Sequence, residues 1–217
     1  MAELIIACLS QKGGVGKSTI ARLIATAYAA HDTRVAIYDF NGTQETSTFW
    51  SRQRKSNEIE PAVHAEVATQ ANRMRSDLRF DVIVADGRPD SPDITLSIAR
   101  EADFIVVPTS VTMDDLVPQL RFARELVTRG VPKERILFVV NRVTENKLLI
   151  KDAYDFIGEE FAIASASLPY RDAFIRCHTA GFSVGEVKEA VMGNMNNLAQ
   201  ITQELATEIA THASGAE

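Results

Sequence analysis

Cysteine is scarce in this chain. Cys8 and Cys177 are the only two in 217 residues and lie far apart, which excludes a disulfide framework and a cysteine-rich zinc or iron–sulfur site built within one chain. Apolar runs are short, and none approaches the roughly 20 residues needed to span a bilayer. The amino terminus, Met1-Ala2-Glu3-Leu4-Ile5-Ile6-Ala7-Cys8, has no basic leader, so a secretory signal is not expected and a reducing cytoplasm is. Basic residues are outnumbered, 23 Lys+Arg against 29 Asp+Glu, for a formal charge of −6; this excludes a globally polybasic nucleic-acid binder and leaves only local basic patches. Beyond Lys188 there is no Lys or Arg, while Glu189, Glu204, Glu208 and Glu217 are present, so a basic amphipathic membrane tail is excluded and no membrane partner is expected. Internal repeats, low-complexity tracts and Pro/Gly/Ser linkers are missing too, which predicts a single domain over 1–212 with a frayed tail at 213–217.

What is present is a rhythm of buried strands and helices. Short apolar runs rich in β-branched residues occur at Leu4–Leu9, Val35–Tyr38, Val82–Ala85, Phe104–Val107 and Ile136–Val140, with a weaker candidate at Ala162–Leu168. They are continuous rather than alternating, so both faces are buried, as in a mostly parallel sheet covered by helices. Between them, Ile20, Leu23, Ile24, Ala27 and Tyr28, and later Leu116, Leu120, Ala123 and Val127, fall at helical spacing. Val187, Val191, Met195, Leu198, Ile201, Leu205 and Ile209 mark one more amphipathic helix. The expected fold is α/β, a doubly wound, mostly parallel β-sheet flanked by helices.

The strongest motif follows the first strand: Ser10-Gln11-Lys12-Gly13-Gly14-Val15-Gly16-Lys17-Ser18-Thr19. Glycines let the backbone curl so that successive N–H groups point inward and cradle phosphate oxygens, and a helix starting here adds its positive end. Lys17 is placed to reach β- and γ-phosphates, and Ser18 to offer its hydroxyl to Mg²⁺. The standard phosphate-loop pattern has an upstream glycine where this chain has Gln11, and a second lysine, Lys12, stands instead.

This loop resembles the deviant Walker A box of the ParA/MinD superfamily of ATPases, with a P-loop fold of the deviant type. The resemblance runs from about residue 3 to 210 and is weakest at 40–79. It implies ATP and Mg²⁺ as cofactors, hydrolysis of ATP to ADP and phosphate, and a homodimer when ATP is bound. It also implies that Lys12 crosses the dimer interface to touch the partner's nucleotide, where a cation neutralises charge developing in phosphoryl transfer. Nucleotide binding then falls to Lys12, Gly13, Gly14, Val15, Gly16, Lys17, Ser18 and Thr19.

Acidic partners are expected at the carboxyl ends of strands, where ligands bind in such sheets. Asp39 ends Val35-Ala36-Ile37-Tyr38 and Asp86 ends Val82-Ile83-Val84-Ala85. By resemblance Asp86, with Ser18, serves Mg²⁺, and Asp39 is the first acid of an Asp-x-Asp switch. The second acid of that switch is replaced by Asn41. Asparagine keeps the shape and hydrogen-bonding capacity of aspartate but cannot act as a carboxylate base, so slow or abolished hydrolysis is expected, whether the asparagine is native or substituted. The catalytic set read from the sequence is therefore Lys12, Lys17, Asp39 and Asn41. After Asp86 the chain reads Gly87-Arg88-Pro89-Asp90, where the family usually has a Pro-rich turn; Arg88 is read as facing solvent.

Asn141, ending Val139-Val140, resembles the family's adenine reader, and Pro169 in Leu168-Pro169-Tyr170-Arg171 an element packed beside the base. Small ParA proteins bind DNA nonspecifically as ATP dimers through scattered basic residues. The candidates here are Lys147, Lys151, Arg171, Arg176 and Lys188, with a second group of Arg52, Arg54, Lys55, Arg73, Arg75 and Arg79; ordinary solvated charge is the alternative for each. Too few residues precede the loop for an amino-terminal helix-turn-helix, and a nitrogenase-iron-protein role lacks its cysteine pair. The resemblance thus points to partition of plasmid or chromosomal DNA with a centromere-binding or cargo adaptor protein, near the nucleoid. Two alternatives stand beside it: an ATP-switched scaffold for a non-DNA cargo, and an ATP-dependent ligase of the dethiobiotin synthetase type.

Overall fold

A computed structural model of the chain describes residues 1–89, 91–143, 146–186 and 198–215. Strands and helices alternate: β1 Leu4–Cys8, α1 Lys17–Ala29, β2 Val35–Asp39, α2 Thr46–Ser56, β3 His64–Val67, α3 Arg73–Ser76, β4 Val82–Asp86, α4 Pro92–Glu101, β5 Phe104–Thr109, α5 Met113–Thr128, β6 Ile136–Val143, α6 Lys147–Gly158, β7 Ala162–Ile163, β8 Leu168–Pro169, α7 Asp172–Ala180 and α8 Leu198–Gly215. The sheet order is β3-β2-β4-β1-β5-β6-β7, with β8 added on β6. Every pairing is parallel.

Alternation along the strands sorts two cores. Ile5, Ala7, Ala36, Tyr38, Ile83, Ala85, Ile105 and Val107 face α4, α5 and α6 through Ile98, Leu116, Leu120, Ala123, Ala153 and Ile157. Ile6, Cys8, Val35, Ile37, Val82, Val84 and Val106 face α1, α2 and α8 through Ile20, Ile24, Trp50, Leu205 and Ile209. Because side chains point alternately to the two faces, a strand covered on both sides must be apolar at every position, which is the pattern of the runs.

Several expected boundaries move. Pro108 and Thr109 belong to β5; its pairing with β1 ends at Val106, so the missing Pro108 N–H costs no ladder bond on that side. The weak run at Ala162–Leu168 resolves into β7 and β8, each of two residues, placed one after the other along β6. Strand β3 was not expected; it lies at the sheet edge with exposed ends. The tail expected to fray from 213 instead continues α8 through Gly215, because Ala213 is buried against the α1 face. Of the residues expected to mark the last helix, Val187, Val191 and Met195 lie outside the described residues. Among the described residues, no helix is long and apolar enough to cross a membrane.

Candidate functional site

Register builds the site. Cys8 pairs with Asp86, and Asp86 with Asp39, so the ends of β1, β4 and β2 form one row. Neighbouring strands lie about 4.8 Å apart, and the alternation puts both carboxylates on the face carrying α1 and α2. Asp39 is fully buried and Asp86 nearly so. The loop leaving β1 and opening α1 lies over this row.

Gly14 and Gly16 take positive φ, 78° and 104°. A Cβ on Gly16 would lie 1.9 Å from the Asn141 Nδ2, so only glycine fits there. Around the loop, neighbours brace its carbonyls: Asn141 Nδ2 donates to the Val15 carbonyl at 3.0 Å and the Arg142 guanidinium to the Gly14 carbonyl at 2.9 Å. Ser10 Oγ accepts from the Lys12 N–H at 2.9 Å and from Gln119 Nε2 at 2.5 Å. The Lys17 ammonium, largely buried, donates to the Lys12 carbonyl at 2.8 Å. A loop with two left-handed glycines and a largely buried ammonium at the opening of α1 is suited to a polyanion.

Below the loop, Ser47 ties the acids together. Its backbone N–H donates to Asp39 at 2.9 Å and its hydroxyl to Asp86 at 2.6 Å. Asp39 also accepts from the Asn41 N–H at 3.0 Å and the Thr48 N–H at 3.2 Å, so it caps the start of α2 from a neighbouring strand. Burial, and then the Asp39 charge beside it, raise the Asp86 carboxyl to about 6, against the pull of the Ser47 and Ser18 hydroxyls and Arg22. Arg22, buried on α1 over the Trp50 ring, donates to the Thr46 carbonyl at 2.7 Å. Its own burial lowers its pKa to about 10, opposed by Asp86 and Asp39.

These residues fit Mg²⁺. A hard cation takes oxygen ligands, and Ser18 and Asp86 offer a hydroxyl and a carboxylate, the hydroxyl near enough to lower the Asp86 carboxyl. Burial first and the Asp39 charge second raise Asp86, and a divalent cation bound here would favour its ionised form. Among the described residues, no group of three or more His, Cys, Asp or Glu could hold a metal ion.

Residues 6–182 match the family described as the CobQ/CobB/MinD/ParA nucleotide binding domain. The chain belongs to this family. The family includes the ParA/MinD nucleotide-binding ATPases, and ATP and Mg²⁺ are its typical cofactors. A relative from Gloeobacter kilaueensis, the maintenance of carboxysome distribution protein A, is 26% identical over 182 residues, covering 81% of this chain and 78% of that protein. Among solved structures, MinD with Mg-ADP from Pyrococcus horikoshii has a TM-score of 0.75 at 16% identity, covering 99% of this chain and 98% of that one. A Cyanothece McdA variant in complex with ATP has a TM-score of 0.72 at 13% identity, covering 100% and 98%. At those identities the structures show the ParA/MinD fold alone.

Within this ParA/MinD fold the residues singled out from sequence separate into three groups. Lys12, Gly13, Gly14, Val15, Gly16, Lys17, Ser18, Thr19, Asp39 and Asp86 gather at one end of the sheet. Asn41 stands there half-buried, its carboxamide donating to Gln44 Oε1 at 2.9 Å. Asn141 is present but buried, with both ends of its amide engaged by Val15 and by the Arg142 N–H. In this arrangement Asn141 braces the loop. Pro169, half-buried on β8, pairs in register with Val143.

Other expectations are corrected. Arg88 does not face solvent freely: it is half-buried, and its Nε is buried without a partner. Arg54 is 1% exposed and pairs with Glu186 at 2.6 Å, so it is a core residue and not a DNA contact. Arg75 is tied to Asp103 and to the carbonyls of Ala2 and Glu101, and Arg79 to Asp77 and Glu66. Arg52 pairs with Glu45 at 3.4 Å and Lys151 with Asp155. Lys55, Arg73, Lys147, Arg171 and Arg176 are exposed, and Lys188 lies outside the described residues. The sequence reading missed Ser47, Arg22 and Arg142, none of which belongs to a recognisable motif.

Proposed function

We propose that this protein is a ParA-type ATPase that binds Mg-ATP, dimerises in that state and uses the dimer to position a cargo. One observation carries the reading: a loop with two lysines lies over two buried aspartates in register, with Ser47 bonded to both. The loop N–H groups and Lys17 are suited to hold phosphates, and Ser18 and Asp86 to hold Mg²⁺, which when bound would neutralise phosphate charge. Lys12 supplies a cation to the partner's site, as the family resemblance implies. Asp39 holds the start of α2, and Asn41 occupies the water-orienting position without a carboxylate, so turnover is slow. Asn41→Asp is expected to raise phosphate release at least ten-fold under saturating Mg-ATP; equal rates would refute the role given to residue 41.

The cargo proposed first is a plasmid or chromosomal locus, reached through a centromere-binding adaptor, with nonspecific DNA bound by the dimer at the nucleoid. A non-DNA cargo is the second reading. It is favoured by the relative named for carboxysome distribution and by the ion-pairing of Arg52, Arg54, Arg75, Arg79 and Lys151 within the chain. Sedimentation with ADP or ATP, with and without random duplex DNA, separates the two. An ATP-only dimer that shifts with DNA supports partition, and one that ignores DNA supports the other cargo. A ligase of the dethiobiotin synthetase type has no need of Lys12, so loss of turnover in Lys12→Ala argues against it.

A further inference from the structure

One turn beyond Ser18 on α1 stands Arg22, a cation outside the phosphate loop. Residues four apart share a helix face, so Arg22 follows Ser18 along the side of α1 that meets the acids. Only 4% of it is exposed. Its guanidinium donates through Nη2 to the Thr46 carbonyl at 2.7 Å, while its Nε is buried without a partner. A cation buried with one such bond is strongly destabilising unless an opposite charge answers it. The answer comes from Asp86 first and Asp39 second, whose charges favour the guanidinium against its own burial. The effect is mutual, since Arg22 in turn favours the ionised Asp86. Ser47, the residue after Thr46, is bonded to both acids, so the guanidinium and the acid pair grip adjacent residues at the start of α2. His178 on α7 feels the same cation: burial, and then Arg22, lowers it to about 3, so it stays neutral and adds no charge.

We propose that Arg22 is a positioning residue for the metal, one that answers the charge of the Asp39–Asp86 pair in the metal-free protein and yields that role when Mg²⁺ and nucleotide bind. This rests on the reading of Ser18 and Asp86 as Mg²⁺ ligands. Two positive groups compete for one pair of acids, so the guanidinium weakens Mg²⁺ binding. In exchange, α1 and α2 can close over the acids without the metal. As the carboxylates turn to Mg²⁺, their hold on Arg22 slackens, and its contacts with the Thr46 carbonyl and the Trp50 ring change with it. The guanidinium lies 5.6 Å from the ring centroid of Trp50, the only tryptophan in the chain. The exchange therefore has an optical reporter.

Calorimetric titration of ADP into the protein at a series of Mg²⁺ concentrations gives the Mg²⁺ that half-restores tight binding. Arg22→Gln keeps an N–H donor and removes the charge, and it is expected to lower that half-saturating Mg²⁺ about ten-fold. Arg22→Lys keeps the charge and should stay within about two-fold of wild type. Lys55→Gln, which takes an exposed charge from α2, should change nothing. In a purely structural role, Arg22→Gln would lose stability and bind Mg²⁺ no more tightly. Wild-type protein gives a check that does not depend on a variant folding: Mg²⁺ added to the ADP-loaded protein should shift Trp50 emission, with the midpoint found by calorimetry. Asp86→Asn separates the two readings. If its ADP binding keeps the wild-type Mg²⁺ dependence, Asp86 is no metal ligand and the underlying reading fails. If Asp86→Asn loses that dependence while folded Arg22→Gln needs as much Mg²⁺ as wild type, the role of Arg22 is overturned. Wild-type Trp50 emission that ignores Mg²⁺ would overturn it as well.

Discussion

Asp86 is buried beside a second carboxylate on the next strand, and its folded pKa of about 6 lies above the ordinary 3.8. A carboxyl raised on folding contributes stability below its unfolded pKa and loses it as pH rises through the folded value. At neutral pH the ionised Asp86 therefore works against the nucleotide-free fold. Asp86→Asn is expected to stabilise that state by about 3 kcal/mol at pH 7.5, with the gain vanishing near pH 4, while nucleotide binding loses its Mg²⁺ dependence. Urea denaturation at the two pH values, with nucleotide titrations with and without Mg²⁺, tests it; lower stability at pH 7.5 would contradict this account. Lys12, Lys17, Ser18, Asp39 and Asp86 were legible in the sequence, because a Gly-rich loop after a strand and aspartates at strand ends are local patterns. Ser47 was not. It lies 39 residues from Asp86 in the chain, and only the parallel pairing of β2 with β4 and the path of α2 bring them together.

Helix α2 gathers several long-range polar contacts. Asp39 caps its first turn and Arg22 holds the Thr46 carbonyl. At its far end, Trp50 Nε1 donates to the Phe182 carbonyl at 3.0 Å, and Arg54 reaches Pro61, Gly181 and Glu186. The helix thus links the acid pair to the turn after α7. Gly181 makes the approach possible, for a Cβ there would lie 2.4 Å from the Arg54 backbone nitrogen at a φ of 89°. Glu186→Gln leaves a buried guanidinium without its counter-ion and is expected to cost about 3 kcal/mol in equilibrium unfolding. Lys55→Gln, on the same helix but exposed, should stay within about 0.5 kcal/mol. Equal effects would show that the Arg54–Glu186 pair does not hold α2 in place. Arg52-Gln53-Arg54-Lys55 reads in sequence as a basic surface run, and only packing against Trp50 and α7 turns its third member inward. Edge strand β3 escaped notice for the opposite reason: its half-exposed residues carry little of the apolar signal that marks β1, β4 and β5.

Across the whole molecule the −6 charge is unevenly arranged. Internal ion pairs neutralise many of the basic residues, as at Arg34–Asp81 and Arg124–Glu160. The layer order was legible because strands buried on both faces leave continuous apolar runs. The charge distribution was not, since pairing partners such as Arg75 and Asp103 are distant in sequence. Lys147 opens α6 just beyond β6, and Arg171 precedes α7 just beyond β8, so both stand at the carboxyl end of the sheet, the end that carries the loop. A single protomer offers few such charges, and the ATP-bound dimer proposed above would double them. DNA binding by this chain is therefore expected only with ATP, and its affinity should fall with salt at a log–log slope of about −5 if six charges are engaged. Removing one of them, by Arg171→Ala or Lys147→Ala, takes two charges from the dimer and should flatten that slope by about 2, whereas Arg79→Ala, whose charge is answered by Asp77 and Glu66, should leave it unchanged. Fluorescence anisotropy of a labelled random duplex between 50 and 200 mM salt (about a thousand-fold span in affinity at that slope) measures all three. A slope unaffected by Arg171→Ala and Lys147→Ala would remove these residues from any DNA face, and no binding in ATP at the lowest salt would leave the non-DNA cargo as the reading to pursue.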